Sequence, residues 1–141
     1  AVVDAGPGAY TGVTSLQVLL GLTIPAGALG PNGVLRVTVK WNYANSAGTK
    51  LIAVLFGGSN LYSPSRTTSL SEGQMFTLQN RGSQSIQLGQ SGALLSQAAA
   101  TSHPVFAINT ALAQNLIFQS TQNTATDFSM IEGVLVEIIP G

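Results

Sequence analysis

Few residues in this chain could do chemistry, and their types and spacing narrow what that chemistry could be. His103 is the only histidine, and there are no cysteines. A thiolate nucleophile, a disulfide and a cysteine-based zinc site are therefore excluded. His103 sits in Ser102-His103-Pro104 with no Asp or Glu beside it, and a single imidazole binds metal only with such partners. It reads as a surface loop residue just ahead of a strand. The carboxylates are Asp4, Glu72, Asp127, Glu132 and Glu137. On an uninterrupted strand Glu132 and Glu137 differ in parity and face opposite sides, unless a bulge at Glu132-Gly133 intervenes. Asp127 precedes that strand and reads as a turn residue. A glycosidase pair would have to join distant elements, Glu72 with Glu132. Serines are abundant, but none lies in a nucleophile elbow. Gly6-Pro7-Gly8 followed by Gly12 has the wrong spacing for a phosphate-binding loop, with no strand before it and no helix after. The sequence thus assigns no catalytic residue, no metal ligand and no cofactor.

What remains is binding by surface. The basic residues Arg36, Lys40, Lys50, Arg66 and Arg81 are scattered, yet Arg36 and Lys40 share one strand face. That face is either a solvated one that also blocks edge-to-edge pairing or one that meets an acidic patch on a partner. Tyr10, Tyr43 and Tyr62 are candidate interface anchors by residue type; Trp41, the remaining candidate, reads first as core. The expected interface set is therefore Arg36, Lys40, Tyr10, Tyr43 and Tyr62.

Composition points the same way. Charged residues make up 7% of the 141 residues, against about 25% in an ordinary soluble domain. Five basic residues balance five acidic ones. A neutral chain has no long-range field to draw in nucleic acid or an anionic membrane surface, so neither is an expected partner. Near-zero net charge favours association, and copies of the chain or a partner are expected to cover its apolar surface. The alternative is a monomer solvated by its many Ser, Thr, Asn and Gln side chains. No apolar run approaches the roughly 18 residues of a membrane helix.

The elements that must position these residues read as strands. Val34 to Trp41 alternates strictly, with Leu35, Val37, Val39 and Trp41 on one face and Arg36, Thr38 and Lys40 on the other. Pro31-Asn32-Gly33 before it reads as a turn, Gly33 supplying a positive φ and Asn32 tolerating a bridge or left-handed conformation. Leu16 to Ile24 is a strand with Leu16, Val18, Leu20, Leu22 and Ile24 on one face. Residues 42–50 form a polar hairpin loop, and Leu51 to Phe56 is a strand apolar on both faces. Leu61-Tyr62, Gln74 to Gln79, Ser85 to Leu88, Pro104 to Asn109, Asn115 to Ser120 and Phe128 to Ile139 complete the set. Gln90 to Ser102 is an excursion with room for one helical turn. The Gly-rich first 15 residues cannot hold a helix and form an extended arm, leaving 16–141 as a single domain. About eight strands with turn-rich loops and no long helix suggest an all-β sandwich or jelly roll.

Several of these segments are similar to jelly-roll virion proteins of tailed bacteriophages. The similarity lies in the Ile-Pro-Ala-Gly corner at Ile24–Gly27, the turn into a strand at Leu29–Val37, and Phe56–Gly58. It continues in Asn80–Ser83 and the hydrophobic ending Val134–Gly141. Within that group the length and single-domain form most resemble the capsid cement, or decoration, proteins. The resemblance implies a jelly-roll β-sandwich that binds the outer capsid surface and cements neighbouring major capsid proteins. It also implies a homodimer, with a trimer as the alternative, and no catalytic residues. The rival expectation is a trimeric tail-fibre or receptor-binding domain recognising a host surface glycan, which exposed Tyr43 and Tyr62 would favour. A carbohydrate-active enzyme on a sandwich scaffold is the third reading.

Overall fold

The computed structural model describes residues 2–5, 8–11, 13–90 and 101–141, the first two stretches by backbone alone. Among these residues there is no helix, and so none long and apolar enough to cross a membrane. Twelve strand segments follow in order: β1 (Val2–Ala5), β2 (Gly8–Thr11), β3 (Gln17–Ile24), β4 (Val34–Tyr43), β5 (Lys50–Phe56) and β6 (Ser59–Tyr62). Then come β7 (Ser65–Arg66), β8 (Ser71–Asn80), β9 (Gln87–Leu88), β10 (Val105–Phe106), β11 (Gln114–Gln122) and β12 (Phe128–Ile139).

The larger sheet runs β1-β12-β4-β8-β9-β10 with β2 also on β12; the smaller runs β3-β11-β5-β6 with β7 also on β5. Every pairing is antiparallel. The expected count of about eight becomes twelve segments because some strand positions are filled by two short pieces. β1 and β2 share the edge of β12, and β6 and β7 share the edge of β5. Counted by position there are ten: four (β1/β2, β12, β4, β8) face four (β3, β11, β5, β6/β7), and the two-residue β9 and β10 extend the larger sheet beyond β8, with the chain crossing repeatedly between sheets. This is a jelly-roll β-sandwich in one domain. The segment expected as an arm lies along β12, Val2 opposite Glu137 and Thr11 opposite Phe128. The excursion proposed for 90–102 falls largely on residues outside those described.

Alternation builds the core. Leu35, Val37, Val39, Trp41 and Tyr43 of β4 point inward, all 1% exposed or less. They meet Ile52, Val54 and Phe56 of β5 and Leu116 and Phe118 of β11, all fully buried. Two bulges decide which residues join them. In β12 the register against β4 shifts between Ile131 and Gly133, so Ser129 and Ile131 are buried together with Val134 and Val136. In β3 the register against β11 shifts between Phe118 and Gln119, whose partners are Leu20 and Val18. The extra residue, Leu19, breaks the five-residue apolar face expected from sequence. Leu20, Leu22 and Ile24 stay on the core, while Leu16 and Val18 turn outward at 55% and 59% exposure.

The corner before β4 also differs from expectation. Gly27 and Gly30 take the positive φ, 68° each, whereas Gly33 does not, and no non-glycine residue there is left-handed. Gly33 is required by crowding instead: a Cβ there would lie 1.8 Å from the Leu29 carbonyl oxygen. Asn32 serves as a tie, accepting a hydrogen bond from Gly82 N through its side chain and donating its own N–H to Gly141 O.

Candidate functional site

Of the residues expected to form an interface, Arg36 and Lys40 lie on the outer face of the larger sheet, Tyr43 on its inner face, Tyr62 on β6 of the smaller sheet and Tyr10 on β2. On the outer face β4 presents Arg36, Thr38, Lys40 and Asn42. Arg36 is opposite Glu137 of β12 and makes a bidentate pair with it, Nε to Oε2 at 2.6 Å and Nη2 to Oε1 at 2.8 Å. The hydrogen bond from Arg36 holds the Glu137 carboxyl below its ordinary pKa. Arg36 is therefore occupied within its own sheet. Lys40 is not: among the described residues the ion pairs are Arg36–Glu137, Lys50–Asp127 and Arg66–Glu72. Lys40 is exposed, and its cross-strand neighbours are Gly133 of β12 and Gly73 of β8.

The bulge in β12 acts here too. It brings Glu132 and Glu137 to the same outer face, where parity alone would separate them. Glu132 is exposed and accepts a hydrogen bond from Asn42 Nδ2 at 2.5 Å. A surface depression of about 320 Å³ is lined by Lys40, Trp41, Asn42, Ser71, Glu72, Gly73 and Glu132. Although Glu72 and Glu132 both border it, their carboxylates face opposite ways. Glu72 is opposite Trp41 on the inward parity, and its bonds go to the sandwich edge.

That edge holds two of the three tyrosines, Tyr43 and Tyr62. Tyr43, expected as an exposed anchor in a loop, is 1% exposed. β4 continues two residues past Trp41, and the same alternation turns Tyr43 inward, stacked on Trp41 at 6.3 Å between centroids. Tyr62 is half-buried and stacked on Phe76 at 6.4 Å. Arg66 donates to both Glu72 oxygens, at 2.5 and 3.0 Å, and to Tyr62 OH at 2.9 Å. Tyr62 OH donates to Glu72 Oε1, and Tyr43 OH to Oε2 at 3.4 Å. Burial pushes the Glu72 carboxyl up, but the bonds from Arg66 and Tyr62 outweigh it and the net shift is downward. Burial first, and the Glu72 charge second or third, raise both phenols above their ordinary value. Tyr10 belongs to β2, opposite Ser129; its side chain lies outside the described residues.

Two polar clusters had no sequence signal. Lys50, placed by sequence in a loop, opens β5 on the same parity as Ile52 and is fully buried. Its Nζ reaches Asp127 Oδ2 at 3.4 Å, Ser46 Oγ at 3.1 Å and Gly48 O at 3.0 Å. Asp127, read as a turn residue, is its buried counter-ion. Asn80 and Gln87 form the second cluster: Asn80 Nδ2 donates to Gly30 O and Thr110 Oγ1, and Gln87 bonds Asn80 and both backbone groups of Ile108. Both clusters tie loops to strands. His103 is exposed ahead of β10, and among the described residues no three His, Cys, Asp or Glu side chains could hold a metal ion.

The fold and site together define the class: a single-domain jelly-roll sandwich whose described ionisable clusters serve structure. Compared with protein-family models, characterised proteins and solved structures, the chain matches nothing.

Proposed function

We propose that this is a non-enzymatic structural virion protein that binds the outside of a phage capsid and cements neighbouring major capsid proteins. The observation that supports it most is the use of the carboxylates. Glu72, Asp127 and Glu137 are each spent on a basic residue, and Glu132 on Asn42. Glu72 and Glu132 border one depression, but their carboxylates turn to opposite faces of the sheet, so these four carboxylates offer no pair flanking a common bond, as glycoside hydrolysis requires. The surface that remains is neutral and carries exposed Leu16, Val18 and Leu51 on the smaller sheet. Such a surface suits lasting burial against a protein better than solvation.

A cement protein gains its affinity from apolar area, about 25 cal/mol per Å² removed from water, less the cost of association. Linking two copies multiplies a modest contact by avidity, and a homodimer is the form we assign. The glycan-binding tail-fibre reading is weaker because it needs exposed rings. Tyr43 is buried and Tyr62 is held by Arg66 and Glu72. The test is co-sedimentation of purified protein with shells that lack it. Saturable binding with dimeric mass by light scattering fits the proposal; no binding to shells, with a trimeric mass and glycan-array signal, would replace it with the tail-fibre reading.

A further inference from the structure

We infer that the outer face of the smaller sheet is where two copies of this chain join, smaller sheet on smaller sheet about a twofold axis. The inference rests on the homodimer assigned above and adds the surface that makes it. The two outer faces of the sandwich differ in charge. β4 and β12 place Arg36, Lys40, Glu132 and Glu137 on the outer face of the larger sheet. In contrast, β3, β5, β6 and β11 hold a single charged residue, Lys50, and it points inward. Arg66 of β7 stands opposite Lys50 and so shares its inward parity. Among the described residues, none on the smaller sheet's outer face carries a charge.

Cross-strand register lays that face out. Val18, Gln119 and Ala53 form one row, with Ile117 and Leu55 in the row on one side and Thr121 and Leu51 on the other. Val18 and Leu51 are exposed, and Ile117 and Leu55 half-buried. Thr23 and Asn60 continue the face as an uncharged polar margin. An apolar centre with a polar rim, depleted of charge, is the anatomy of a protein interface. Residues 91–100, outside the described set, fall between β9 and β10, both strands of the larger sheet.

Charge and size select a second copy as the occupant. Taking ions out of water costs several kcal/mol each unless they are well paired. The smaller sheet can be covered by its own twin with no ion desolvated, whereas pairing through the larger sheet would desolvate Arg36, Lys40, Glu132 and Glu137. A foreign protein is singled out by its charge pattern, and this face offers none to read. A twofold needs none, because one patch supplies both sides of the contact. Strands of seven to nine residues at ~3.3 Å each, in four positions ~4.8 Å apart, make the face about 25 Å by 19 Å. That is roughly 500 Å² per copy in plan and about 1,000 Å² for the pair, the size at which an interface becomes specific. The two sandwiches then lie back to back, with both charged faces turned outward.

Sedimentation equilibrium of the full chain from ~1 to ~500 µM reads the mass over the range suited to so small an interface. Wild type should pass from monomer to dimer, and amide shifts of the ¹⁵N-labelled protein on concentration should centre on β3, β5 and β11. Leu51→Lys with Gln119→Lys sets cation against cation across the axis, at positions open to solvent. Its dissociation constant should rise at least about tenfold (1.4 kcal/mol), with the urea midpoint of the dilute monomer unchanged. Thr38→Lys, on the larger sheet's outer face, should leave the dimer intact. A wild type that stays monomeric throughout, or is trimeric, overturns the proposal together with the homodimer. A dimer that the double lysine variant leaves untouched, or that Thr38→Lys breaks, overturns the face alone. A monomeric wild type whose binding to shells is lost in the double lysine variant gives the face to the capsid instead. A wild type that dimerises through this face but does not bind shells upholds the inference and ends the capsid reading.

Discussion

Replacing Lys50 by Met should be among the most damaging single changes available outside the apolar core. The lysine is fully buried and its partner Asp127 nearly so, with side-chain exposures of 0% and 4%. Lys50→Met keeps the volume but leaves the Asp127 carboxylate inside the sandwich without its counter-ion, still accepting from the Ser46 hydroxyl at 2.8 Å, and removes the donor to Gly48 O. Breaking a buried pair from one side costs about 3–5 kcal/mol, a large share of a total of about 5–15 kcal/mol. For a domain of this size the melting point should fall by roughly 10–15 °C, at about 3 °C per kcal/mol. Asp127→Asn should behave similarly, because it strands the ammonium. The double variant should cost much less than the sum, since no buried charge is left alone. Urea unfolding of the four proteins, with unchanged m-values, supplies the cycle. A Lys50→Met cost under about 1 kcal/mol, or single costs that simply add, would refute the reasoning that the pair acts as one buried unit.

Two glycines of the larger sheet region should respond in opposite ways. Gly33→Ala places a Cβ 1.8 Å from Leu29 O and 2.8 Å from Ile139 O, so it should destabilise by about 1–3 kcal/mol as overpacking does. Gly73→Ala meets open space on ordinary strand backbone and should be neutral or stabilising by about 0.4–1 kcal/mol; urea midpoints decide both. Glu72 titrates below its ordinary value of 4.5 in the folded state. Its contribution is therefore present above that value and lost as pH falls through the folded pKa. Glu72→Gln should be less stable than wild type at pH 7, with the two stability curves converging in acid; a constant gap down to pH ~2 would show that the ion pair is not the cause. Tyr43 and Tyr62 have raised pKa values, so their contribution is complete below the unfolded-state value of about 10. It should be lost as pH rises above that value, and alkaline unfolding monitored with Tyr62→Phe should show a smaller loss.

The alternation of Val34 to Trp41 was enough to place β4 and its two faces, because a period of two survives wherever the ladder is regular. The same rule failed where the ladder is not regular. One extra residue at Leu19 sends Leu16 and Val18 to solvent, and one at Glu132 reunites Ile131 with Val134. Glu132-Gly133 offered a bulge signal; Gln17 to Leu20 offered none. Tyr43 was misplaced because Asn42 to Lys50 looks like a polar loop, although strand parity, once extended, turns that ring inward. Lys50 and Asp127 lie 77 residues apart, so only the strand order reveals them as partners. Of the expected interface residues, Arg36 and Lys40 share an outer face as read, but Arg36 is held by Glu137, whereas Lys40 is exposed and outside the ion pairs of the described residues.

The cementing role is tested most directly by counting copies on purified virions, through quantitative mass spectrometry against the major capsid protein. Hundreds of copies per particle, located on the outer shell, are what the account predicts. A handful of copies confined to the tail, or none on the particle, would contradict it.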